Sequence, residues 1–244
     1  MDRLIYTAMS GAKATLQRQD AIAHNLANAN TPGFRSDLSA YRAVPVQGEG
    51  APTRVLALEA SAGFDATPGS VTQTGRTLDV AVRGEGWIAV QGFDGREAYT
   101  RAGSFELSAD GTLQTRSGLT VLGDGGPIVV PPDSRVDIGQ DGTVSAKSGN
   151  TPPVVVGQIK LVNPPAGELR KRPDGLVRTL DGEPAPADPN VRVASGALEG
   201  SNVNPVETMI EMIAAARQFE MQMKMLQAVD GNDQRAARLL GPQG

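Results

Sequence analysis

The chain has 244 residues, with 23 basic and 27 acidic side chains, one histidine and no cysteine. Disulfides, thiolate nucleophiles and cysteine metal sites are excluded, and a multi-histidine zinc site is impossible. The acidic balance argues against a nucleic-acid footprint, and no apolar run approaches the ~18 residues needed to span a membrane.

From residue 1 to about 30, apolar or small residues recur at Ile5, Met9, Ala12, Leu16, Ala23 and Leu26, with Ala8 and Ile22 in a row beside them. This is a heptad-like stripe on one helix. Asn28, Asn30, the Thr31-Pro32 step and Gly33 form its stop signal. The start, Met1 to Met9, lacks the continuous apolar core of a secretory signal peptide, so export would need a route that does not read one. Residues 36–75 carry Gly, Pro and Thr with weak alternation and read as an extended connector.

Residues 76–200 have a different chemistry. Asp-Gly pairs at 94–95, 110–111, 124–125, 141–142, 174–175 and 181–182 separate short apolar runs. The runs include Trp87-Ile88-Ala89-Val90, Leu119 to Leu122, Ile128-Val129-Val130 and Val154-Val155-Val156. Asp-Gly between alternating runs signals hairpins, so an antiparallel β-domain, sandwich or open barrel, is expected here. Trp87 reads as a core anchor, with Gly84 and Gly86 as turn residues. Gly123 to Gly126 is a turn, because it lacks the lysine of a phosphate loop.

From residue 201 the helical pattern returns. Asn204 is a good N-cap, Pro205 suits the first helical position, and Glu207 stands where a capping box places its acid. Met209, Met212, Ala216, Phe219, Met223 and Leu226 then form a heptad seam on a helix of about 25 residues, roughly 38 Å long. The seam could be core packing within one subunit. Its methionines, including Met221 beside it, equally suit several different partner surfaces.

The expected fold is α+β: a discontinuous, coiled-coil-like helical domain from both termini (1–35 and 201–244) and a central antiparallel all-β domain (76–200), joined through 36–75. Each terminal helix has a narrow apolar stripe, and such helices draw their stability from a partner. Two helices together still bury little, so copies of the chain or relatives are expected to cover the rest.

The stretch Ile22 to Phe34, with its Asn25-Leu26-Ala27-Asn28 core followed by Thr31 and Gly33-Phe34, resembles the N-terminal signature of the bacterial flagellar rod and hook family. Leu198 to Ile210 and Arg217-Gln218-Phe219-Glu220 resemble that family's C-terminal signature. Ile5 to Met9, Tyr41 to Val46 and the modest length are most similar to its proximal-rod members; the distal-rod members are the nearest alternative. His24 departs from the small or amide residue expected at its position.

The resemblance implies a structural shaft component in the periplasmic part of the basal body. It implies export by the flagellar type III apparatus, and partners among other rod proteins and copies of itself. It implies no catalytic site, no cofactor, no metal, no small-molecule substrate and no nucleic acid. The expected assembly residues are Ile5, Met9, Ala12, Leu16, Ile22, Leu26, Asn25, Asn28 and Phe34 at one end. At the other end they are Met209, Met212, Ala216, Phe219, Met223 and Leu226. The asparagines could simply end the helix, or bridge neighbouring helices with Phe34 as a clasp. His24 reads as an exposed or capping residue rather than a general base, because a narrow seam offers no cleft. A competing reading is a cell-wall hydrolase using Glu97 with Glu106 or Asp110, which would require carboxyl groups about 5–9 Å apart.

Overall fold

The computed structural model describes residues 2–45 and 55–240. Helix α1 spans Asp2–Ala27 and is followed by strands β1 (Asp37–Pro45), β2 (Val55–Phe64), β3 (Val71–Gln73), β4 (Val80–Arg83), β5 (Trp87–Gln91) and β6 (Glu97–Thr100). Next come β7 (Phe105–Leu107), β8 (Leu113–Thr115), β9 (Thr120–Gly123), β10 (Gly126–Pro127), β11 (Ser134–Ile138) and β12 (Thr143–Ser148). The series continues with β13 (Val154–Gln158), β14 (Leu161–Val162), β15 (Leu169–Lys171), β16 (Val177–Thr179), β17 (Arg192–Ser195) and β18 (Ala197–Glu199), and closes with helix α2 (Pro205–Leu240). The chain is thus α+β, and its strand pairs are antiparallel.

Two compact units result. One comprises Met1–Ala27, Asp37–Gly63 and Asn204–Gly244; the other comprises Asn28–Ser36 and Phe64–Val203. The stretch expected to be an extended connector is largely paired: β1 and β2 form a two-stranded sheet. Most of β1 is exposed, so it carries no strong alternating signature for a sequence reading to detect.

The second unit is built on a sheet with the order β15-β16-β6-β5-β9-β8-β7, accompanied by the three-stranded sheet β11-β12-β13 and the pairs β17-β4 and β18-β3. Strand β5 is buried on both sides, which explains its unbroken apolar run. Ile88 and Val90 join a core with Val80, Phe105, Leu113, Val121 and Val144, while Trp87 and Ala89 join another with Tyr99, Val162 and Val177. The Asp-Gly turns supply left-handed backbone at Gly95 (φ 78°), Gly111 (φ 77°), Gly142 (φ 83°), Gly175 (φ 80°) and Gly182 (φ 78°). One expected run makes no strand of its own: Ile128-Val129-Val130 contributes a single bridge, Val129 to Thr112, although Ile128 and Val130 are buried and Val129 is exposed.

The helices match their start and stop signals. Asn204 caps α2, its Oδ1 accepting from Val206 N (3.1 Å) and Glu207 N (3.4 Å), with Pro205 first in the helix. The helix then runs for 36 residues, not about 25, and carries Arg235 and Arg238 within it. After α1 two successive turns close, Thr31 N donating to Asn28 O (3.0 Å) and Phe34 N to Thr31 O (3.2 Å).

Candidate functional site

Within the helical unit, α1 and α2 pack along each other. A row of buried and half-buried positions on α2 runs through Thr208, Met212, Ala215, Phe219, Gln222, Leu226 and Val229, at alternating spacings of four and three. On α1 the matching row is Ala8, Gly11, Thr15, Arg18, Ile22 and Asn25. This inner seam is rich in small residues, and Gln222 lies directly on it. The Thr15 hydroxyl is 3.2 Å from Gln222 Oε1, and a Cβ at Gly11 would sit 3.4 Å from Gln222 Nε2.

The expected seams are therefore divided. Met212, Phe219, Leu226, Ala12, Ile22 and Leu26 are buried or half-buried, as is Ala216. Met9, Leu16, Met209 and Met223 are exposed. The side chain of Ile5 lies outside the described residues. The helices pack through small groups, so the inner row takes Gly11, Thr15, Thr208 and Ala215 and turns several bulky residues outward. Val206, Ile210 and Ile213, which the sequence reading passed over, join Met209 as an exposed apolar patch. At ~100° per residue this patch lies opposite the Thr208–Met212–Ala215 row.

Within its own chain Asn25 bonds to a strand. Its amide holds the start of β1, Nδ2 donating to Asp37 O (3.0 Å) and Oδ1 accepting from Asp37 N (2.8 Å). This two-way bond satisfies both main-chain groups of one residue. Tyr41 Oη donates to Ala14 O (2.8 Å), and His24 Nδ1 is 2.6 Å from Asp37 Oδ2. His24 is thus an exposed residue paired to the strand. Asn28 Oδ1 accepts from the Thr31 hydroxyl at 3.1 Å, within the turn that ends the helix.

In the other unit the two terminal stretches are joined. Gly33 N donates to Glu199 O (2.8 Å), Asn202 N to Phe34 O (3.3 Å), and Ser36 N to Asn202 Oδ1 (2.8 Å). Phe34 is buried here with Lys171 Nζ 3.8 Å from its ring centroid, so it packs inside its own chain rather than serving as an exposed clasp. Lys171 Nζ also donates to Arg35 O (2.7 Å).

Beneath this lies a buried ionic cluster. Glu199 Oε1 is 2.6 Å from Arg35 Nη2, Glu199 Oε2 is 2.8 Å from Arg101 Nη1, and the three side chains are 1%, 2% and 3% exposed. Gly69 N donates to Glu199 Oε1 (3.0 Å), and Arg101 Nη2 donates to Gly84 O (2.7 Å). Both guanidinium groups lie over the Trp87 ring, at 5.9 Å for Arg35 and 5.4 Å for Arg101, and Phe64 meets that ring edge-on at 5.7 Å. Burial pushes the Arg101 guanidinium below its ordinary value, while the Glu199 carboxylate pulls it back. Gly33 is required at this joint: its φ is +70°, and a Cβ there would meet Arg101 C at 2.2 Å.

Two of the three carboxylates of the hydrolase reading have partners of their own. Glu97 pairs with Lys160 (2.8 Å) and accepts from Tyr99 Oη (3.0 Å), and Glu106 accepts from Gln114 Nε2 (3.1 Å).

Three family models match the chain. "Flagella basal body rod protein" covers residues 5–35, "Flagellar hook protein FlgE/F/G D1 domain" covers 81–146, and "Flagellar basal body rod FlgEFG protein C-terminal" covers 194–239. The chain is 49% identical to the flagellar basal-body rod protein FlgF of Salmonella typhimurium, over 98% of this chain and 99% of the relative. The chain belongs to the FlgF family of flagellar basal-body rod proteins. It is 48% identical to FlgF of Escherichia coli K12 over the same shares, and 32% identical to the rod protein FlgG of Agrobacterium fabrum over 93% and 95%. The FlgF-family blocks give the ionic cluster a plain meaning. Arg35 falls in the first, Arg101 in the second and Glu199 in the third, so one buried contact ties all three together. Sequence reading missed Arg35 and Arg101. The available signal was an arginine directly after Gly33-Phe34 and an acid, Glu199, at the start of the C-terminal signature.

Proposed function

We propose that the chain is a structural subunit of the proximal flagellar rod, and that it assembles helically by burying the outward stripes of α1 and α2 against copies of itself and other rod proteins. In the assembled state the two helices act as parts of a coiled-coil-like inner wall. The subunit reaches the periplasmic basal body through the flagellar type III apparatus and works by packing, without catalysis. One observation carries the assembly step: Val206, Met209, Ile210 and Ile213 expose a contiguous apolar patch on the first two turns of α2. Met9 and Leu16 form the corresponding exposed pair on α1. Support for the rod role comes from relatives that are themselves named flagellar basal-body rod proteins. Support for a non-catalytic role comes from Glu97, whose carboxylate is held by Lys160 and Tyr99.

The test is Ile210→Asp with Ile213→Asp in a strain lacking the wild-type chain. Each change places a charge on the outer stripe and leaves the inner row untouched. The expected outcome is a folded protein that is absent from isolated basal bodies, with motility lost. Normal incorporation would refute the assembly mechanism.

A further inference from the structure

The β-unit carries a projecting aromatic residue that joins none of its hydrophobic clusters. Phe93 sits at the tip of the β5–β6 hairpin and is 79% exposed. The tip is held rigidly. Gly92 N donates to Arg96 O (2.8 Å) and Gly95 N to Gly92 O (2.9 Å). Asp94 Oδ1 accepts from Arg178 Nη2 (3.1 Å), and Arg178 Nη1 donates to Asp174 Oδ2 (3.0 Å), which ties the tip to the β15–β16 turn. An aromatic side chain displayed on a pre-ordered tip is the common form of an interface anchor.

The same unit carries a receptor of matching chemistry. A cleft of about 560 Å³ opens at the start of β5, lined by Pro68, Trp87, Arg101, Pro164, Pro165 and Leu169. Arg101 Nε is buried and finds no hydrogen-bond partner. The Trp87 ring already lies against this guanidinium, and the aromatic and proline side chains of the cleft suit a further aromatic ring. Glu85, exposed on the cleft wall, disfavours an anionic occupant and suits a cationic neighbour. Phe93 has that neighbour in Arg96, also exposed, while the acid directly beside it, Asp94, is paired with Arg178.

The aromatic tip and the cleft stand at opposite ends of β5, about 20 Å apart at ~3.3 Å per residue. They cannot meet within one chain. Two copies can engage them head to tail, and a heterologous contact of this kind propagates instead of closing. We propose that Phe93 of one copy inserts into the Trp87–Arg101 cleft of the next, making a second, β-unit contact between copies that is independent of the helical stripes.

The experiment uses the full chain in the Ile210→Asp/Ile213→Asp background, which removes stripe association whether or not the assembly reading holds. Sedimentation velocity across a concentration series reports size, and Trp87, the one tryptophan in the chain, reports cleft occupancy by its emission. The expected result is concentration-dependent oligomers with a parallel change in emission. Phe93→Ala should weaken the association by ~30-fold or more. Ala166→Trp, which fills the cleft from an exposed position, should do the same. Mixing the two variants should restore association that stops at dimers, because one supplies only the cleft and the other only the tip. The proposal is overturned by undiminished association in Phe93→Ala, by a mixture that stays monomeric, or by a stripe-less parent that stays monomeric up to ~1 mM.

Discussion

Replacing Glu199 by Gln keeps the shape of the side chain and removes its charge, leaving Arg35 and Arg101 buried together with no anion between them. Removing one partner of a buried ion pair typically costs about 3–5 kcal/mol, because the remaining charge is stranded away from water. Here two guanidinium groups lose the same partner, so the upper part of that range applies. The β-unit has about 150 residues, and an unfolding entropy of ~2.1 cal/mol/K per residue makes each kcal/mol worth ~3 °C. The expected loss is therefore ~13–16 °C in the melting of the β-unit, read by calorimetry. The control is the same substitution made with Arg35→Met and Arg101→Met. Without cations to strand, Glu199→Gln should cost little or become favourable. A similar Tm loss in both backgrounds, or a loss under ~3 °C in the first, would refute the charge argument and leave only lost packing.

Further outcomes follow from the same geometry. Gly33→Ala should prevent the β-unit from folding or lower its Tm far more than Gly118→Ala. Both glycines have positive φ, but a Cβ at Gly118 meets nothing within 4 Å, so the control isolates the clash with the Arg101 backbone. Tyr99 is buried and its phenol is pushed up to about 12, chiefly by desolvation, with the Ala185 N–H donating to its oxygen and opposing the shift. The folded state therefore holds its proton more tightly than the unfolded chain. The stabilisation is complete below pH ~10 and is lost as pH rises towards ~12, by roughly 2–3 kcal/mol. Urea titrations of the wild type and Tyr99→Phe at several alkaline pH values should diverge in slope over that window, and parallel curves would contradict the assignment. Asn25→Ala should cost ~1–3 kcal/mol locally by removing two hydrogen bonds to Asp37, and amide exchange at Asp37 should speed up while the β-unit is unaffected.

What the sequence revealed was local chemistry. The Asn204-Pro205 start of α2, the Thr31-Pro32-Gly33 stop after α1 and the Asp-Gly turns each depend on backbone conformations that a few adjacent residues dictate. The buried anchor role of Trp87 was legible for a related reason, since an unbroken apolar run marks a strand such as β5 that is covered on both faces. The Glu199 cluster was hidden because its partners stand 98 residues apart at Arg101 and farther still at Arg35, and a buried charge has the same letter as a solvated one. The β1–β2 pairing was hidden because most of β1 stays exposed, leaving no face for selection to mark.

The helical seams show why period is easier to read than direction. Both helices carry apolar groups on more than one side, so any heptad that connects the bulky residues will look like the inner one. Close approach of two helices demands the opposite choice: Gly11, Thr15 and Ala215 admit the neighbouring backbone, while Met209 and Ile213 would hold it away. Small residues at Gly11, Thr15, Thr208 and Ala215 therefore help to set the inner face, which Met212, Phe219 and Leu226 share. This division has an energetic consequence for assembly. A small-residue contact buries little apolar area at ~25 cal/mol per Å², so the isolated hairpin of helices is weakly held. The bulky outer groups, which could each contribute ~1.5–3 kcal/mol when fully covered, remain unburied until another subunit arrives. On the proposed reading the strongest packing of the terminal helices belongs to the polymer rather than to the monomer. A subunit must then stay weakly associated until it meets a growing end that covers Val206, Met209, Ile210 and Ile213 together.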